Sequence, residues 1–118
     1  AYMFSDPQRY DIVIFKYPDD ETQLYIKRVI GLPGETVEIR EGKVYIDGSD
    51  TPLDDSFTPE TPLGNYGPYT VPEGCYFMLG DNRNYSKDSR FWQNPYVEKD
   101  KILGKAVFKY FPGFKILK

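Results

Sequence analysis

Two stretches of this sequence hold side chains that could do chemistry. In Tyr25-Ile26-Lys27-Arg28-Val29-Ile30-Gly31-Leu32-Pro33-Gly34 a lysine sits inside an apolar run. In Gly80-Asp81-Asn82-Arg83-Asn84-Tyr85-Ser86-Lys87-Asp88-Ser89-Arg90 charged and hydrogen-bonding groups are crowded. A lysine in water has a pKa of about 10.4 and is a poor base at neutral pH. Burial disfavours its charged form and lowers that value. Lys27 shares its strand face with Tyr25 and Val29, so apolar walls would free its amine to take a proton from a serine hydroxyl. The alternative is a lysine that snorkels to solvent from a half-exposed strand. The local pattern does not decide between the two.

Composition narrows the chemistry. The chain has no histidine, which removes Ser-His-Asp and Cys-His catalysis and the usual zinc sites. A serine protease of this composition must use another base, and lysine is the obvious one. No metal or cofactor is expected. Cys75 is the single cysteine, so no internal disulfide forms; its neighbours Tyr76, Phe77, Met78 and Leu79 predict a buried, inert thiol. The net charge of −3 gives no chain-wide positive field for nucleic acid. No apolar run approaches the roughly 20 residues of a membrane span, and no signal peptide is visible. A length of 118 residues predicts a single domain over 1–118.

The elements that must position these residues are strands. With 11 Tyr, 8 Phe and 10 each of Gly and Pro, the mix favours strands and turns over helices. Asp11–Tyr17 reads as a strand buried on both faces. Pro18-Asp19-Asp20 is a turn. Gln23–Ile30 is a strand with Leu24, Ile26, Arg28 and Ile30 on one face and Tyr25, Lys27 and Val29 on the other. Thr36–Arg40 and Lys43–Asp47 predict a hairpin around Glu41-Gly42. Residues 49–69 read as a variable surface excursion. Val71-Pro72-Glu73-Gly74 is a turn, Cys75–Leu79 a buried strand, Gly80–Phe91 a polar loop and Ile102–Tyr110 a last strand. The expected fold class is all-β, with antiparallel sheets and long loops.

The two opening stretches resemble signature segments of bacterial type I signal peptidases, the Ser-Lys dyad serine proteases. Arg9-Tyr10-Asp11-Ile12-Val13-Ile14-Phe15-Lys16-Tyr17-Pro18 is similar to the family's Arg-Gly-Asp-(hydrophobic) strand. Tyr25–Gly34 resembles its lysine segment. Gly80–Arg90 resembles its Gly-Asp-Asn-Arg-x-x-Ser-x-Asp-Ser-Arg segment, with every fixed position present. Lys101–Ala106 resembles its closing strand. The resemblance implies the signal-peptidase β-fold, which self-cleaving repressor-type proteases share in related form. It implies that Lys27 is the general base and that Ser86 supplies the hydroxyl that orients its amine. It pairs Arg28 with Asp81, and Asp88 with Arg90, as structural support. Tyr25 and Ile26 then belong to the strand beside the substrate, and Ile14 lines a pocket floor.

The resemblance further implies removal of signal peptides from secreted preproteins, cut after small residues. It implies a site on the extracytoplasmic face of the cell membrane and an upstream membrane anchor. No segment matches the family's Ser-Met-x-Pro nucleophile motif. Ser5 is the only serine before Arg9 and lacks that context, and Ser89 is not the family's nucleophile. The expectation is a catalytic-domain fragment cut after its nucleophile, inactive alone, and able to dimerise through the resulting gap. Of Phe91, Trp92, Tyr96, Phe108, Tyr110, Phe111 and Phe114, Phe108 and Tyr110 are expected in the core, and some of the others in an exposed patch that touches lipid, with core packing as the alternative. Two departures are Tyr10 for the family's glycine, which predicts a changed backbone there, and Glu35 for its aspartate. A non-catalytic assembly factor for surface proteins and a self-cleaving repressor-type protease are the competing functions. The retained Lys27 and Ser86 oppose the first, and the Gly80–Arg90 loop opposes the second.

Overall fold

The structure is a computed structural model in which residues 6–106 are described. Among them are strands β1 (Ile12–Lys16), β2 (Leu24–Gly31), β3 (Thr36–Arg40), β4 (Lys43–Ile46), β5 (Tyr66–Thr70), β6 (Cys75–Leu79), β7 (Tyr96–Glu98) and β8 (Ile102–Lys105). One sheet has the order β7-β6-β2-β1-β8 and the other the order β4-β3-β5. Every pairing is antiparallel, so the expected all-β architecture is the one that forms.

Side-chain alternation explains how the sheets pack. On one face of the larger sheet Val13, Phe15, Val29, Tyr76, Met78, Trp92, Val97 and Ile102 form one core. On the other, Ile30, Phe77 and Leu79 meet Val37, Ile39, Val44 and Val71 in a second. β6 serves both cores and is buried on both faces, as its apolar run predicts. β1 differs from expectation. Val13 and Phe15 are buried, but Ile12, Ile14 and Lys16 stay half-exposed, because the smaller sheet covers only the β2–β6 end.

The β3–β4 hairpin forms with Val37 opposite Ile46 and Ile39 opposite Val44. Its turn residues Glu41 and Gly42 have φ of 49° and 81°, the twist that a two-residue hairpin needs. The 49–69 stretch is not a plain excursion. Its end becomes β5, paired with β3, and Leu53 and Phe57 pack on the second core. Alternation is weak in Tyr66-Gly67-Pro68-Tyr69-Thr70, which hides this strand in the sequence. Cys75 is half-buried rather than buried; burial still pushes its thiol above the usual range. Trp92 belongs to the first core and Tyr96 packs on the second, so neither joins an exposed patch, whereas Phe91 is 54% exposed. Phe108, Tyr110, Phe111 and Phe114, and the last strand beyond Ala106, lie outside the described residues.

Gly31 marks where the two sheets approach. A Cβ there would lie 2.7 Å from Val37 Cγ2 and 2.8 Å from Phe77 Cβ. Both neighbours are fully buried and have nowhere to move. Gly31→Ala is expected to destabilise the fold by about 1–3 kcal/mol, through overpacking. Urea unfolding checks this, and a midpoint equal to that of wild type would show that the sheets can separate.

Candidate active site

β2 carries the two residues on which the site is built. Lys27 and Arg28 are adjacent in a strand, so they leave on opposite faces. Lys27 is opposite Val13 and lies on the face of the first core. It is 6% exposed. Arg28 emerges on the side of Tyr10 and Phe57.

Register brings the polar loop to them. Arg28 is paired with Leu79 across β2 and β6, so the next residue, Gly80, leaves β6 alongside Lys27. The loop then folds back on its own strand. Ser89 Oγ accepts from the Met78 amide at 2.8 Å, and the Ser89 amide donates to the Met78 carbonyl. Asp88 is fully buried and accepts from the Gly80 amide at 3.0 Å. The Arg90 side chain donates to both Asp88 oxygens at 2.8 Å, and its Nη2 also donates to the Arg83 carbonyl. The Arg83 side chain is buried and its Nε donates to the Gly80 carbonyl.

These contacts deliver Ser86 to the lysine. Lys27 Nζ donates to Ser86 Oγ at 3.0 Å, across 59 positions of sequence. On the opposite face Arg28 grips Asp81 with two bonds, Nε to Oδ1 at 2.8 Å and Nη2 to Oδ2 at 2.7 Å. The loop is thus fastened to β2 on both faces. Each of the expected pairs, Arg28 with Asp81 and Asp88 with Arg90, forms.

The surroundings of the Lys27 amine weaken its hold on a proton. Burial pushes the Lys27 ammonium below its ordinary value of 10.5. The Asp88 carboxylate opposes this, the Arg90 guanidinium reinforces it, and Asp81 opposes it more weakly. Once it has lost its proton, an amine beside a fixed hydroxyl has a lone pair in a defined direction, which is what a proton acceptor requires.

The remaining expected site residues divide between two faces. The Tyr25 ring stacks on Tyr17 at 4.4 Å and meets Trp92 edge-on, with Lys27 Nζ at 5.9 Å from its centroid. Ile14 and Ile26 are register partners on the other face, and both are half-exposed. Ser5 lies outside the described residues. Both departures noted in the sequence have local solutions. Glu35 receives two 2.7 Å bonds from Arg9 and accepts from the Leu32 amide. Tyr10 adopts a φ of 77°, in the left-handed region that favours glycine. Sequence reasoning missed Phe57 and Asn84, and marked Arg83 only as a fixed position of the loop motif. Phe57 lies in the stretch set aside as variable, and nothing in its neighbours marks it.

A family model described as "Signal peptidase, peptidase S26" matches residues 1–111. The chain belongs to this signal peptidase family. It is 41% identical over 120 residues to signal peptidase I of Leptolyngbya laminosa, covering 95% of this chain and 57% of that protein. It is 36% identical over 126 residues to thylakoidal processing peptidase 1, chloroplastic, of Arabidopsis thaliana, covering 98% of this chain and 36% of the relative. Among solved structures it resembles a signal peptidase I of Enterococcus faecalis, with 35% identity and a TM-score of 0.74, covering 89% of this chain and 100% of that one. The chain spans little more than half the length of the bacterial relative and about a third of the plant one. Among the described residues no helix is long and apolar enough to cross a membrane.

Two outcomes are expected for this signal peptidase domain. Asp88→Ala strands the Arg90 guanidinium, whose side chain is 2% exposed, and should cost about 3–5 kcal/mol in urea unfolding. An unchanged midpoint with lost activity would instead assign Asp88 to the chemistry. The second concerns pH. Because the Lys27 pKa is lowered on folding, the unfolded chain holds that proton more tightly. Stability therefore rises with pH between the lowered value and 10.5. Lys27→Met should remove this rise, so its stability advantage over wild type shrinks as pH climbs. A difference that stays constant with pH would mean that Lys27 is not desolvated.

Proposed function

We propose that this chain carries the lysine half of a Ser-Lys endopeptidase that removes signal peptides from secreted preproteins. The observation that carries the reading is the buried Lys27 amine, held 3.0 Å from Ser86 Oγ. Lys27 is the general base, and Ser86 orients it. A serine from an upstream segment is the nucleophile: its hydroxyl proton passes to Lys27 Nζ as its oxygen attacks the scissile carbonyl, and the ammonium then returns a proton to the leaving amine.

The substrate lies extended beside β2. β1 pairs with Leu24–Arg28 on one side, while β6 pairs with β2 only from Arg28 onward. On the β6 side, no strand among the described residues is paired with Leu24–Lys27. That free edge can accept a peptide by strand addition, its backbone bonded beside Tyr25 and Ile26. Ile14 and Ile26 offer half-exposed apolar surface for small side chains. The domain works on the extracytoplasmic face of the cell membrane, tethered from upstream, with exposed Phe91 against lipid.

The full-length protein should cleave a synthetic preprotein after a small residue. Lys27→Met should lower kcat by roughly 10²–10⁴-fold. Activity should rise with pH as the ammonium loses its proton, with its midpoint below 10.5. Cleavage that survives Lys27→Met would remove the lysine from the mechanism.

A further inference from the structure

The segment between the hairpin and β5 touches the site through one aromatic ring. Phe57 lies with the Arg28 guanidinium 4.3 Å from its ring centroid and the Arg83 guanidinium 5.8 Å away. The Tyr10 ring meets it edge-on at 5.7 Å. One side chain thus contacts β2, the polar loop and the turn before β1 together. A second link lies a few residues on. Asn84 Nδ2 donates to the Thr61 carbonyl at 3.0 Å, and Asn84 Oδ1 accepts from the Leu63 amide at 3.1 Å. Asn84 is two positions from Ser86. Residues 57–63 are therefore fastened to the loop at Arg83 and Asn84, just beyond Asp81, the residue by which the loop reaches Arg28.

We propose that Phe57 is a positioning residue of the Lys27 site, acting through the Arg28–Asp81 pair. The inference rests on the peptidase reading of that site. The ring covers one plane of the Arg28 guanidinium and excludes water from it. An ion pair strengthens as its surroundings dry, and a guanidinium is further attracted by the ring face. Arg28 is covalently next to Lys27, and Asp81 is in the loop that delivers Ser86. The geometry of that pair therefore sets how closely the hydroxyl meets the amine. A leucine at 57 would fill part of the space but present no ring face. Water would then reach the pair, and the loop would gain freedom where it must be held.

The test compares Phe57→Leu, Phe57→Met and Phe57→Tyr in the full-length protein. On a preprotein substrate, Phe57→Leu and Phe57→Met should lower kcat by roughly tenfold, the loss of about 1.4 kcal/mol of positioning. KM should stay within twofold of wild type. Phe57→Tyr, which keeps the ring, should restore kcat. In parallel, the Lys27 ε-carbon is followed by NMR through a pH titration. The two ring-less variants should move the Lys27 titration upward, toward its ordinary value, because the loosened loop no longer seals the amine from water. Phe57→Tyr should leave it in place. Wild-type kcat and an unmoved titration in a folded Phe57→Met would overturn the proposal, and so would failure of Phe57→Tyr to restore either readout. If wild type cleaves nothing yet the titration moves as expected, the peptidase reading falls and the positioning role stands.

Discussion

To serve as the base proposed for it, the amine of Lys27 has to be buried without acquiring a counter-charge that would keep it protonated. Two carboxylates, Asp81 and Asp88, lie near enough to oppose the loss of its proton. Each already belongs to an arginine: Arg28 takes both oxygens of Asp81, and Arg90 takes both of Asp88. Matched in this way, the carboxylates have less field left for the lysine, and desolvation dominates. The same two pairs are mechanical. One ties the loop to the strand that bears Lys27, and the other closes the loop on itself. An uncompensated charge in either place would both loosen the loop and disturb the amine.

Strand alternation makes the arrangement possible. Consecutive residues of β2 point to opposite faces, so Lys27 can enter an apolar core while Arg28 stays with a charged partner on the other side. β6 then needs to end one residue short of Lys27. Its pairing with β2 runs from Gly31 to Arg28, and Gly80 turns away at the position where a longer strand would have covered the lysine's neighbours. The end of that ladder leaves room for the Ser86 loop and frees the backbone edge at Leu24–Lys27. A single register therefore positions both the Lys27 amine, the proposed proton acceptor, and the backbone edge proposed for a peptide.

Much of this was legible in the residues. The lysine within an apolar run, the dense loop and the alternation of β2 placed Lys27 and Arg28 on opposite faces, and the resemblance supplied their partners. The hairpin was readable because Glu41-Gly42 separates two alternating strands. What escaped was what only tertiary contact decides. The run Ile12-Val13-Ile14-Phe15 reads as doubly buried, yet one face is covered only where the smaller sheet reaches. Tyr66–Thr70 lacks alternation because a register shift against β3 sets Tyr66 opposite Ile39 and Tyr69 opposite Val37, so that tyrosines three apart both pack on the second core. Trp92 sits among loop-like neighbours, but its ring completes an aromatic cluster with Phe15, Tyr17 and Tyr25. Phe57 carries no periodic signal at all, since its partners come from three other segments.

Tyr10 shows how these levels constrain one another. A non-glycine residue at positive φ costs of the order of 1–3 kcal/mol and persists only where its surroundings over-determine it. Here they do. The Tyr10 amide donates to the Val29 carbonyl at 2.7 Å, and its carbonyl accepts from Arg28 Nη1 at 2.9 Å. Its ring lies against Phe57. A glycine could make the two backbone bonds without strain, but it would leave the edge of Phe57 bare. The tyrosine offsets its backbone cost with a contact to the same ring that covers Arg28. The departure from glycine in the turn before β1 and the aromatic residue in the 49–69 stretch are thus two parts of one packing solution around Arg28. It follows that a substitution at either position should be interpreted together with the other.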